Sequence, residues 1–94
     1  VTTVVDLEPP LDGYITVQTV RRVYLSAVAS REPGKGHVGR LLAELQRDYD
    51  EVVVPNVISR VLADMLDRRG YHHEVHWVER LNESVDCLVW RRAF

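Results

Sequence analysis

The chain has 94 residues, 46% of them hydrophobic, with a formal charge of -2 and a pI near 6.1, which is room for one domain spanning 1–94 with a single core and none for a second. Its 14 acidic residues offset the 12 basic ones, and this excludes a general nucleic-acid binder that works through an overall basic surface. Cys87 is the lone cysteine and can form no internal disulfide, and neither a basic-then-apolar leader nor a membrane-length apolar run occurs, so a cytoplasmic protein with no membrane partner is expected.

Residues 1–7 are rich in Val and Thr and predict a strand, stopped by Glu8, Pro9 and Pro10, which suit neither helix nor ladder. Asp12-Gly13 signals a turn, so residues 14–20 are expected to pair with the first strand as a loose hairpin. In 23–29, Val23, Leu25, Ala27 and Ala29 alternate with Tyr24, Ser26 and Val28, the pattern of a third strand with one face packed more tightly. Val38, Leu41, Leu42 and Leu45 then form the stripe of an amphipathic helix from near His37 to near Asp48, with Arg40, Glu44 and Arg47 facing water. The β-branched run at 51–54 predicts a central strand parallel to the third.

Pro55 and Asn56 end that run, and Asn56 is read as the N-cap of a second helix in which Val57, Val61 and Met65 lie beside Ile58, Leu62 and Leu66. Arg68 and Arg69 suit its C-terminal dipole, and Gly70 its C′ position. Residues 71–79 alternate again, with Tyr71, His73, Val75 and Trp77 on one face and His72, Glu74, His76 and Val78 on the other. Asn82 marks a turn into a last strand at 85–92, whose inward positions include Cys87 and Val89. The expected fold is α+β: a mixed, mostly antiparallel sheet with two helices.

The stretch REPGKGHVG at 31–39 joins the third strand to the first helix. Its glycines permit close backbone approach, the helix start offers free N–H groups and a positive dipole end, and the chain's only lysine, Lys35, lies within it. The stretch is read as a pyrophosphate cradle. Gly34, Gly36 and Gly39 also fit the dinucleotide fingerprint, but Pro55 and Asn56 stand where a ribose-binding acid is wanted. No P-loop is present, because Gly36 follows Lys35 where that motif has Lys and then Ser or Thr. A turn that merely connects strand to helix is the remaining alternative.

The order of elements, together with Arg31-Glu32-Pro33-Gly34-Lys35-Gly36, Asn56 after the next strand and the Gly70-Tyr71 pair after the second helix, resembles the GNAT acyltransferase superfamily over about 14–94. The resemblance implies a truncated GNAT-like domain in which Gly34, Lys35, Gly36, His37, Val38 and Gly39 hold the pyrophosphate of acetyl-CoA or another acyl-CoA, with Arg31 of the motif also counted in the cofactor site. Val28 and Ala29 would lie beside the pantetheine arm between two splayed strands, and Asn56 is also counted in the cofactor site. It implies acyl transfer to an amine whose identity the sequence leaves open. Two features depart from the family pattern: Leu66 occupies the position of the family's usual tyrosine acid, and counterparts of the N-terminal strand and helices that shape the acceptor pocket are expected to be absent. These departures favour the alternative of a degenerate GNAT-like module that binds CoA or a protein partner without turnover.

Glu32 and His37 are weak candidates for a general base, each with a bland reading as a loop residue or a phosphate neighbour. His72, Glu74 and His76 share a strand face, but successive residues there are roughly 7 Å apart, so a solvated polar face is expected and no metal site. Cys87, within an apolar run, reads as a buried structural thiol. Trp77 and Trp90 are read as packing the last hairpin or joining an apolar patch. Two helices, one against each face of a sheet of about six strands, would leave apolar surface around the first hairpin and around Leu88, Val89 and Trp90, which implies a homodimer through those strands.

Overall fold

The computed structural model describes residues 2–79 and 82–93. Its elements in order are β1 (Thr3–Asp6), β2 (Leu11–Val17), β3 (Arg22–Ser30), α1 (His37–Asp48), β4 (Glu51–Pro55), α2 (Arg60–Arg68), β5 (His72–Val78) and β6 (Glu83–Arg91). One six-stranded sheet has the order β1-β2-β3-β4-β6-β5. Every pairing is antiparallel except β3 with β4, and α1 supplies the crossover that a parallel pair requires. The α+β class and the mixed sheet are as expected. Val1, read as the start of the first strand, lies outside the described residues.

Both helices pack on one face of the sheet. Leu42 and Leu45 of α1 and Leu66 of α2 form a single core with Val23, Leu25, Val52 and Val54. This corrects the expectation of one helix on each face. On the opposite face Val53, Val85, Cys87 and Val89 make a second, smaller core that contains no helical residue. Cross-strand partners share a face, so Val53 opposite Val89, and Glu51 opposite Arg91, show how charged side chains continue that face where the apolar ones stop.

The alternation read through 23–29 fails at Ala27. Asp12 pairs with Ala29 but Tyr14 with Ser26, so Ala27 and Val28 together oppose Gly13, and Ala27 takes a left-handed φ of 53°. An inserted residue reverses the phase of everything after it. Val28 therefore packs against the helix-side core while Ala27 is exposed. Gly13 is thus part of β2 and not a turn, and a Cβ there would lie 2.5 Å from the Ala27 carbonyl oxygen.

The start of α2 differs too. Asn56 has φ 53° and leaves β4 in a left-handed turn, so the N-cap is Ser59, whose hydroxyl accepts from the Leu62 N–H at 3.3 Å. The helical stripe begins later than expected, which leaves Ile58 98% and Val61 72% exposed while Leu62, Met65 and Leu66 reach the core. Gly70, with φ 86°, holds the expected C′ position, and the Tyr71 N–H closes the helix end on the Leu66 carbonyl.

β6 is flanked by β4 and β5, so the final strand has no free edge. Val89 is fully buried, and Leu88 and Trp90 pack under the helices. The final-strand half of the expected interface is therefore corrected, because β6 offers no edge for strand pairing, whereas β1 of the first hairpin is an edge strand, as is β5. Arg92 follows β6 and binds the C-terminal end of α1, donating to the carbonyls of Gln46, Arg47 and Tyr49 at 2.9–3.1 Å and to the Asp50 carboxylate at 3.0 Å. Among the described residues no helix is long and apolar enough to cross a membrane.

The bulge gives the first prediction. Gly13→Ala combines a positive φ of 121° with a steric clash against backbone, and is expected to cost about 2–4 kcal/mol. Urea denaturation of the variant beside the wild type reads this directly, and a loss below 0.5 kcal/mol (about the level of a neutral surface change) would refute it.

Candidate functional site

β3 and β4 pair only at Arg22 with Glu51, Val23 with Val52 and Tyr24 with Val53. Beyond that point the strands no longer pair, although β3 runs on to Ser30 and β4 to Pro55. The bulge at Ala27 bends β3 away, and β4 instead stays with β6 as far as Pro55 opposite Cys87. An open cleft of about 740 Å³ lies at the divergence. Ser26 and Ala27 line one side, Pro55 and Asn56 the other, with Tyr14 and Tyr24 on the sheet face and Trp77 and Glu79 on the far wall. Burial raises the Tyr24 phenol above its usual range, so it is a proton donor at neutral pH. Its ring meets His76 edge to face, with centroids 6.5 Å apart.

The glycine stretch enters α1 at the C-terminal end of β3. Gly34 has φ 83° and Gly36, the N-cap, φ 76°, so the backbone there adopts a form that other residues resist. The Gly36 cap has no side-chain hydrogen bond, and the first intrahelical bond runs from the Arg40 N–H to the Gly36 carbonyl. His37, Val38 and Gly39 form the first turn, with Val38 packed against the core. Arg31 is held in a fork by Asp12 at 2.6 Å, and this pairing keeps the Asp12 carboxyl below its usual range. None of residues 31–39 lines the cleft; of the cofactor candidates only Asn56 does. Val28 faces the helix-side core, and Ala29 sits opposite Asp12.

Glu32 and His37, the two candidate bases, are bound to each other. Arg40 donates to His37 Nδ1 at 2.7 Å, which places the ring proton on Nε2, and Nε2–H donates to Glu32 Oε1 at 3.0 Å. This chain of contacts holds both away from the cleft. Leu66 is fully buried between α2 and the sheet, so nothing there can protonate a leaving group. Tyr71 is buried as well and donates to Gln46 Oε1 at 3.3 Å, its phenol pushed up by burial. Cys87 is 1% exposed, and burial and the neighbouring Asp86 raise its thiol, consistent with a structural role.

The His72, Glu74 and His76 face holds more than solvated side chains. Glu74 is the hub. Arg91 grips its carboxylate with both terminal nitrogens, one at 2.8 Å, while His76 Nε2–H donates at 3.0 Å and His72 also donates to it. Arg91 Nε reaches Glu51 at 2.5 Å, and Arg22 pairs with the same buried carboxylate. Register places His72 opposite Val89, Glu74 opposite Cys87 and His76 opposite Val85, so this network roofs the second core. Among the described residues no group of three or more His, Cys, Asp or Glu could hold a metal ion. The sequence indicated the shared face but not Arg91, whose approach depends on the β5–β6 pairing.

Comparison with family models, with curated proteins and with solved structures gives no match to this chain.

Arg91, and then the two histidines, hold the Glu74 carboxyl well below its ordinary value of 4.5. A carboxyl depressed by folding adds stability above its unfolded pKa and loses it as pH falls through the folded one. Glu74→Gln is therefore expected to melt below the wild type at neutral pH, with the gap shrinking progressively as the pH drops below 4.5. Thermal unfolding across that range checks it, and a gap independent of pH would contradict the ion-pair account.

Proposed function

We propose that the protein is an acyl-CoA-dependent N-acyltransferase with a GNAT-like fold. The observation that carries this reading is the three-residue parallel pairing of β3 with β4 followed by divergence, at the end of the sheet where the glycine turn enters α1. In sheets with parallel strands, ligands gather beyond the carboxyl ends, where neighbouring strands part. An amide-bearing arm laid in the gap could hydrogen-bond both strand backbones, and its pyrophosphate would meet the free N–H groups of the α1 start and Lys35. Among the described residues none pairs with Lys35.

The reaction needs no metal. The amine nitrogen attacks the thioester carbonyl, a C–N bond forms, the C–S bond breaks, and the departing thiolate takes up a proton while the new amide nitrogen loses one. With Leu66 in the core, the role of proton donor falls to Tyr24 in the cleft, whose raised pKa keeps it protonated. The buried Leu66 equally favours a second reading, a CoA-binding or protein-interacting module that does not turn over. A homodimer belongs to either reading, with β1 and β5 as its pairing edges.

Acetyl-CoA at a hundredfold excess over Kd is expected to stabilise the protein by about 2.7 kcal/mol, and NAD to leave it unchanged. Lys35→Glu, at an exposed position with an ordinary backbone conformation, should weaken acetyl-CoA by about tenfold or more with the apo melting point preserved. Stabilisation by NAD alone, or by neither ligand, sinks the proposal. Release of free thiol in the presence of an amine separates the enzyme from the silent module.

A further inference from the structure

The cleft at the strand divergence has a composition unlike the rest of the surface. The chain carries 12 lysines and arginines, yet none of the described residues lining the cleft is basic, and Glu79 is its single carboxylate. The arginines on the same sheet face, Arg22 and Arg91, stand at the other end of the strands and are neutralised by Glu51 and Glu74. The fixed charge that the described residues bring to the cleft is therefore negative.

Its walls have a matching character. Tyr14 lies opposite Ser26 and Thr16 opposite Tyr24, so the two tyrosines are diagonal neighbours on one face, within reach of one another for rings of this size. Trp77, 58% exposed on the edge strand β5, is also among the lining residues. Aromatic faces carry negative electrostatic potential and attract cations, most strongly those that are weakly hydrated. A volume of about 740 Å³ suits a body of several carbon atoms as well as a charged head. Asn56 and Gln18 add amide groups that can orient N–H bonds.

We infer that this cleft binds an organic cation, an ammonium group carried on an aromatic or similarly bulky apolar body, and that it rejects carboxylates and phosphates. As a cation site this stands on the cleft alone; as the acceptor subsite it rests on the acyl-transfer reading. It would then specify hydrophobic primary amines as acceptors.

The test is calorimetric titration of the apo protein with 2-phenylethylammonium, phenyltrimethylammonium, 2-phenylethanol and 3-phenylpropionate. The two cations should bind, the alcohol about tenfold more weakly, and the carboxylate without saturation. Glu79→Gln should bring the cations down to the level of the alcohol and leave the alcohol unchanged. Trp77→Ala should weaken both cations. Both positions are exposed, and a circular dichroism melt verifies that each variant folds. Equal affinity for all four ligands, preference for the carboxylate, absence of binding, or cation preference retained in both variants overturns the inference. Phenyltrimethylammonium has no N–H to acylate, so its binding survives if the protein proves not to be an acyltransferase. Conversely, acetyl-CoA binding without cation binding removes this inference and leaves the other reading standing.

Discussion

The short parallel junction between β3 and β4 is the constraint on which the rest of this structure depends. It is short because β3 carries one residue more than β2 can match. Gly13 has no Cβ, so the β2 backbone comes against the Ala27 carbonyl at a distance any side chain would forbid. Ala27 absorbs the extra residue with a left-handed φ, a conformation worth about 1–3 kcal/mol of strain that persists only when its surroundings enforce it. The same local event turns Val28 into the core, aims β3 away from β4 and opens the cleft. One backbone irregularity thus couples the packing of the helix-side core to the candidate site.

A second feature is the way the helix-free face is covered. Val53, Cys87 and Val89 are almost completely buried although no helix lies over them. Their roof is a lattice of Arg22, Glu51, Arg91, Glu74, His72 and His76. Arginine suits this use, because its planar fork satisfies two carboxylates at once while its aliphatic stem covers apolar surface. Glu51 is the buried charge of the set, and two guanidiniums offset its desolvation. The lattice ends where the cleft begins, so one face of the sheet has a charge-balanced end and an aromatic, acidic end.

The glycine stretch and the cleft are separate places with separate chemistry. Around the helix start Glu32, His37 and Arg40 satisfy one another, and Arg31 is taken by Asp12. What remains for a ligand is backbone N–H and Lys35, which is a means of holding an anion and supplies no acid or base. Tyr24 and Glu79 line the cleft instead. Binding of an anionic cofactor tail on the helix side and of a cationic partner on the open side would be divided by the sheet itself.

The sequence by itself determined the class of the fold, the element order, the parallel crossover and the bounds of α1, because periodicity and glycine placement are local signals set by backbone sterics and by burial of one stripe. It determined Gly70 as a helix stop and Cys87 and Val89 as inward positions for the same reason. Only the tertiary structure decided that both helices share a face, that β6 is interior, and that the alternation breaks at Ala27, since each depends on which strand lies beside which. Asn56 shows the limit at a single residue: as a capping type it satisfies the helix rule, but the turn out of β4 claims it, and Ser59 takes the cap. The cleft was invisible for a related reason. Tyr14, Tyr24, Asn56, Trp77 and Glu79 are scattered along the chain, and no spacing rule links them until a bulge and a strand order bring them to one place.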